Sequence, residues 1–346
     1  MIEFDFKIPK LANQFFFISN LSEWHFSCRK DYNKIWLEKT GALKDHEKKA
    51  LTTFSTIITE NGFTLNNKFR TKYLGQFFQF QSNNKTWREV RKVLHPIEYQ
   101  ELRKIFNLFK YRFEIAWKDI ADKDKRIRIL KNTLSQDNYK SLFNDLEKIF
   151  GSEKPRVKIK VVVLFTPLGY ENTAAGGANV GSEQITLELP RLKLNSWQLH
   201  YSVGILAHEM AHLLFNKRGG QKMISSIINE LSLPMMIKNL SKEMNVMEMI
   251  NEAITESFVP IGYLGQKYSH FLLAPLLLNN LNKGLFSYKD FEKVENINYH
   301  NQLDYYLIWQ LYPLSIIYGR NKKRIDKYYI REVANTIKHL FLEQSV

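Results

Sequence analysis

Residues 196–215 read SWQLHYSVGILAHEMAHLLF, a run without Pro that carries His208-Glu209-Met210-Ala211-His212 near its end. Ile205, Leu206, Met210, Leu213, Leu214 and Phe215 surround that pentapeptide, so the spacing predicts a buried helix from about Ser196 to Phe215, stopped by Gly219-Gly220. Two histidines four positions apart project from one helix face, one turn above the other, and both imidazoles can reach a single zinc ion. Glu209, one step further around, can contact a water on such an ion without being a ligand. From nine His and 24 Glu in 346 residues, chance places roughly 0.02 pentapeptides of this kind in the chain. The bland alternative is a core helix with two satisfied histidines, but a carboxylate beside them in an apolar helix is costly without a cation.

Two histidines need a third protein ligand. Asn216 to Gly220 follow the motif with no further His, which argues against a three-histidine site and leaves a carboxylate. Glu230 lies 18 positions after His212, whereas Glu248, Glu252 and Glu256 fall on a helix predicted from Ser241 to about Phe258. Their spacing of four stacks three like charges on one face, a mildly repulsive arrangement that a facing cation would relieve.

The motif His208-Glu209-x-x-His212, followed by Asn251-Glu252-Ala253-Ile254-Thr255-Glu256, resembles the gluzincin superfamily of zinc metallopeptidases, which includes thermolysin and the aminopeptidases. The likeness covers about residues 157–258. It implies a zincin-like catalytic domain, zinc as cofactor, Glu252 as the third ligand and Glu256 supporting the site from behind the ligands. Glu230 is the rival, since its distance resembles the shorter aminopeptidase gap, but Leu231 and Pro234 suit close packing against the histidine helix less well than Ala253. The activity implied is hydrolysis of peptide bonds in a peptide or protein, with Glu209 as general base. An oxyanion donor is expected downstream: Tyr312 is the first candidate, with His270, His300, Tyr305 and Tyr306 behind it. Gln184–Leu189, in the likeness, is an edge strand along the cleft, although an interior strand is nearly as good a reading. No acidic motif for holding a substrate terminus stands before it, which leans toward endopeptidase action. Two other readings stay open: a zinc-free or inactive descendant that binds a partner or nucleic acid through its basic N-terminal part, and a zinc hydrolase of a non-peptide amide.

Working outward, Val157 to Phe165 is a β-branched apolar run closed by Thr166-Pro167, and Gln184 to Leu189 alternates as a second strand after a small-residue loop, Ala174 to Gly181. Upstream, apolar residues recur at helical spacing over Asp31–Glu60, Pro96–Ala121 and Asp124–Phe150, while 61–95, with the aromatic run Tyr73–Phe80, fits strand or helix equally. The expected fold is α+β and mostly helical: a helical N-terminal domain (1–151), then a zincin-like domain (152–346) with a small sheet and a helical C-terminal lobe.

Composition bounds the rest. The net charge of +15 is concentrated in residues 1–156, where 30 basic residues face 19 acidic ones; they are interleaved, as in 119–126, and form no recognised nucleic-acid-reading motif, so nucleic acid is not expected as a partner. No apolar run approaches the ~20 residues of a membrane span. Glu3 and Asp5 stand where a secretion signal would be basic, and one cysteine, Cys28, suits a reducing compartment, so a cytoplasmic protein is expected. Oligomeric state and substrate identity leave no sequence mark.

Overall fold

The computed structural model describes residues 2–24, 28–62, 76–79, 81–118, 120, 122–151, 158–168, 170, 175–179, 184–190, 197–239, 242–269 and 299–340. In chain order the elements are β1 (Glu3–Lys7), α1 (Lys10–Ser22), α2 (Lys30–Thr40), α3 (Asp45–Gly62), α4 (Asn83–Arg91), α5 (Pro96–Leu108), α6 (Lys110–Lys118), α7 (Lys123–Leu134) and α8 (Asp137–Phe150). There follow β2 (Lys158–Phe165), β3 (Gly176–Asn179), β4 (Gln184–Leu189), α9 (Trp197–Lys217), α10 (Gly220–Glu230), β5 (Met236–Asn239), β6 (Lys242–Asn245), α11 (Val246–Glu256), α12 (Tyr263–Ser269), α13 (Tyr299–Asn321) and α14 (Lys327–Lys338). The fold is mostly helical with a small mixed sheet, an α+β protein. No helix among the described residues is long and apolar enough to cross a membrane.

Contacts divide the chain into two compact units, neither continuous in sequence: one of Glu3–Asn132 with Lys158–Ser202, the other of Met1–Ile2, Thr133–Val157 and Val203–Val346. The first holds the four-stranded sheet, ordered β1-β2-β4-β3. β1 and β4 both run parallel to β2, and β3 is antiparallel to β4. In β2, Val161 to Phe165 are all buried, as expected of a parallel strand covered on both faces. Against the sheet packs an aromatic core in which Phe15 stacks on Phe77 at 4.3 Å and Phe77 on Phe106 at 5.4 Å. The buried Arg112 guanidinium grips both oxygens of Glu47 at 2.7 Å and donates its remaining hydrogens to the carbonyls of Thr40, Gly41 and Ala42, closing the turn between α2 and α3.

Several expectations need correction. Glu3–Lys7 is a strand, in which Phe4 and Phe6 alternate with charged neighbours. The small-residue loop contains β3, because the open edge of β4 offers a ladder that Gly176-Gly177-Ala178-Asn179 can fill despite weak intrinsic preference. Gln184–Leu189 is consequently an interior strand between β2 and β3, not an edge. Lys242–Asn245, expected as helix, forms the second strand of the β5-β6 hairpin, and Ser241 lies outside the described residues. The three long helical stretches are each broken, the first at Gly41 with φ 87°. Of the Tyr73–Phe80 run, Tyr73–Gly75 and Phe80 lie outside the described residues.

One contact explains how α1 meets the sheet. β1 stops pairing with β2 at Lys7↔Val162, and the buried Asn13 side chain takes over: Nδ2 donates to Val163 O at 3.0 Å and Oδ1 accepts from Phe165 N at 2.9 Å. Asn13→Leu, similar in size, leaves both backbone groups buried and unpaired, and should destabilise this unit by about 3 kcal/mol. A lower urea midpoint together with faster exchange of the Phe165 amide is the expected result; an unchanged midpoint would remove this role from Asn13.

Candidate metal centre

The second unit is built around α9. Leu206, Ala207, Met210, Ala211, Leu214 and Phe215 are buried on several sides of this helix, so it is a central element and not a surface one. Burial also covers His208, Glu209 and His212, each less than a tenth exposed. α11 is started by Asn245, whose Oδ1 accepts from the amides of Met247 at 2.9 Å and Glu248 at 3.3 Å. Ala253 and Ile254 are buried, and past the helix end Phe258 meets Phe150 edge-on at 5.4 Å and Ser257 shares a 2.7 Å hydrogen bond with the Tyr329 hydroxyl. These contacts fix the rotation of α11 and hence the aim of Glu252.

His208 Nε2 and His212 Nε2 stand 2.9 Å apart, and Glu252 Oε2 lies 3.2 Å from each. Bonds of ~2.1 Å to imidazole nitrogen and carboxylate oxygen at tetrahedral angles separate ligand atoms by ~3.4 Å, so this triangle fits a shared zinc ion to within a few tenths of an ångström. Among the described residues these three form the one group of His, Cys, Asp or Glu donors near enough to share an ion. The donor set also suits iron(II), the other common user of two histidines and a carboxylate. Glu252 is about half exposed (48%), so the centre is sealed on its histidine side and reachable on the other.

Groups behind the ligands set their tautomers. His208 Nδ1 is 3.2 Å from Val259 O, which can only accept, so Nδ1 carries the proton and the Nε2 lone pair points into the triangle. His212 Nδ1 is 3.0 Å from the Asn251 amide and 3.3 Å from Thr255 Oγ1. Asn251 Oδ1, as placed, is buried with no hydrogen-bond partner among the described residues. Turning the amide over gives that oxygen the His212 Nδ1–H and frees Nε2 for a metal, a choice of orientation made by hydrogen bonding and not by atom positions.

Electrostatics point the same way. Burial works against a charged His208, yet its hydrogen bond to Glu252 and the charges of Glu252, Glu209 and Glu256 outweigh it and push its pKa up to about 10. Burial likewise opposes an ionised Glu252, but the two histidines hold its carboxyl well below the usual range. Without an ion, His208 therefore holds a proton against Glu252 at neutral pH, and a metal bound through the Nε2 lone pair would take that proton's place.

The other sequence candidates fall elsewhere. Glu230 is exposed at the end of α10 and pairs with Arg331. Glu248 is exposed in the first turn of α11. Glu256 sits close enough to act on His208 by charge, but the acceptor at His208 Nδ1 is the Val259 carbonyl. Tyr312 donates its hydroxyl to Gln266 at 2.7 Å, so the structure gives it a partner other than the three ligands. His270 and the side chains of His300, Tyr305 and Tyr306 lie outside the described residues. Asn251 and Thr255 were missed as supports of His212, though their positions, one before and three after Glu252, are what a helix facing α9 would require. No protein-family model matches the chain, and neither a curated protein nor a solved structure is significantly similar to it.

Elemental analysis of the purified protein should find one zinc per chain. His208→Ala and Glu252→Ala should lose it, Glu230→Ala should keep it, and Asn251→Ala should weaken binding by ~10–100-fold. Iron in place of zinc, or loss of metal in Glu230→Ala alone, would contradict the assignment.

Proposed function

We propose that this chain is a zinc-dependent peptidase of the gluzincin type, with a zincin-like catalytic part formed around α9 and α11. The observation that carries the reading is the triangle of His208, His212 and Glu252 donor atoms with a buried Glu209 on the same helix as the two histidines. His208, His212 and Glu252 would hold the ion. Zinc bound there would supply Lewis acidity and bring the pKa of a bound water toward ~7.

The chain's own residues do the rest. Glu209 follows His208 directly, so its carboxylate leaves the helix about 100° around from the ligand and can reach a water beside the centre without competing for the ion. It accepts the water's proton as the oxygen attacks the peptide carbonyl, and returns that proton to the departing amine nitrogen. Burial of Glu209, 8% exposed, keeps bulk water away from this transfer. The Val259 carbonyl and the Asn251 amide hold the two imidazoles in one tautomer and one orientation, so little reorganisation accompanies each turnover. The half-exposed side of Glu252 is where an extended peptide can approach.

Glu209→Gln keeps the shape and removes the base. It should retain full zinc content and lose turnover by ~10²–10⁴-fold on a mixed peptide library read by mass spectrometry. Cleavage by the Gln variant at the rate of the parent would refute the assignment of Glu209.

A further inference from the structure

In the second unit the turn between α13 and α14 reads Arg320-Asn321-Lys322-Lys323-Arg324-Ile325-Asp326-Lys327, five basic residues with one acid. Its backbone is well fixed. At the end of α13 the Lys323 amide donates to Tyr318 O at 2.8 Å and the Lys322 amide to Gly319 O at 3.4 Å, and the Ile325 amide donates to Ile149 O at 3.1 Å, which docks the turn on the end of α8. Lys322 has φ 50°, a left-handed conformation that glycine or asparagine adopts at lower cost. Lys327 opens α14, where the helix dipole disfavours a cation. Backbone stability alone thus argues against lysine at both positions.

Basic side chains from two further helices join the turn around the buried Asp145 of α8. Its Oδ1 pairs with Lys322 at 3.2 Å, while its Oδ2 pairs with Lys267 of α12 at 3.4 Å and accepts from the Tyr268 hydroxyl at 2.6 Å. Asp145 raises the Lys322 ammonium above its usual pKa, and the exposed Lys148 is near enough to bear on it as well. Arg320 leans toward α12: burial raises the Tyr312 hydroxyl, the Arg320 charge opposes that rise, and the same hydroxyl donates to Gln266, the neighbour of Lys267. Lys323 pairs with Asp326 at 3.1 Å, and Glu147, beside Lys148, keeps Oε1 buried. Lys148, Arg320 and Lys327 are exposed and make no ion pair among the described residues, so this face carries a standing excess of positive charge.

Exposed apolar side chains flank that charge. Ile317, one helical turn before Arg320, and Tyr328, directly after Lys327, are each 53% exposed. We infer that the α13–α14 turn docks on an anionic membrane surface, its lysines and arginines meeting lipid headgroups while Ile317 and Tyr328 enter the interface. Clusters of ~4–8 basic residues are what such a surface attracts, and tyrosine is favoured at headgroup level. A nucleic-acid backbone would meet the same charges but offers Ile317 nothing apolar to bury against. Because the turn is already fixed, little ordering accompanies binding.

Co-sedimentation of the full chain with vesicles of phosphatidylcholine, and with vesicles of equal parts phosphatidylcholine and phosphatidylglycerol, tests this. The chain should bind the anionic vesicles only, and raising salt from ~0.1 to ~1 M, which shortens the screening length from ~10 to ~3 Å, should release it. The double variant Arg320→Gln/Lys327→Gln should keep its melting temperature and bind ~25-fold more weakly, about fivefold per charge. Ile317→Ser changes no charge and should weaken vesicle binding ~5-fold, a readout that stands even if the double variant melts early. Equal partition into both kinds of vesicle, undiminished affinity in a folded double variant, no effect of Ile317→Ser, or tighter binding to a duplex oligonucleotide than to the anionic vesicles at the same salt would overturn the inference.

Discussion

Three lone pairs directed at one point hold the key to the second unit. His208, His212 and Glu252 would repel or compete for protons at 2.9 to 3.2 Å unless a positive charge lay among them, and the protein holds them there by packing. α9 must be buried to make the pair of imidazoles rigid; α11 must be capped by Asn245 and pinned through Phe258 to aim the carboxylate. The chain end of α11 must then turn so that Val259 presents its carbonyl to His208.

How much of this could be read from residues alone depends on whether a feature is local. The histidine pair was legible because a helix converts a spacing of four into adjacency, and Glu252 because the residues around it, Asn251 and Ala253, mark a helix that packs closely. Choosing Glu252 over Glu230 needed a family likeness as well as spacing, and it is the structure that shows Glu230 tied to Arg331. The Val259 carbonyl was invisible, since every residue carries one and only the tertiary fold selects which is used. The family likeness put Glu256 behind the ligands, whereas the group that meets His208 Nδ1 is that carbonyl.

In the other unit the strands Lys158–Phe165 and Gln184–Leu189 were legible from β-branched content and alternation, yet the order of strands was not. β3 consists of residues with poor strand preference that accept an offered ladder, and β1 is a short stretch whose partner stands far along the chain. The grouping into two discontinuous units leaves no mark in any local window, because it is made by contacts between distant segments. Arg112, reaching from α6 to the turn between α2 and α3, is another tie of this kind.

The amide of Asn13 has a consequence for how the chain assembles itself. It bonds residues 150 and 152 positions away, and β1 beside it waits for the same strand. During synthesis at ~5–20 residues per second, β1 and α1 emerge ~10–30 s before β2 exists to receive them. Through that interval the helices α1 to α6 can gather around their aromatic rings, but the sheet has no second strand, and its closure is a late event of high contact order. The first unit is therefore completed only after the ribosome has passed the residues that separate its two halves, so its two pieces are joined across an already emerging part of the second.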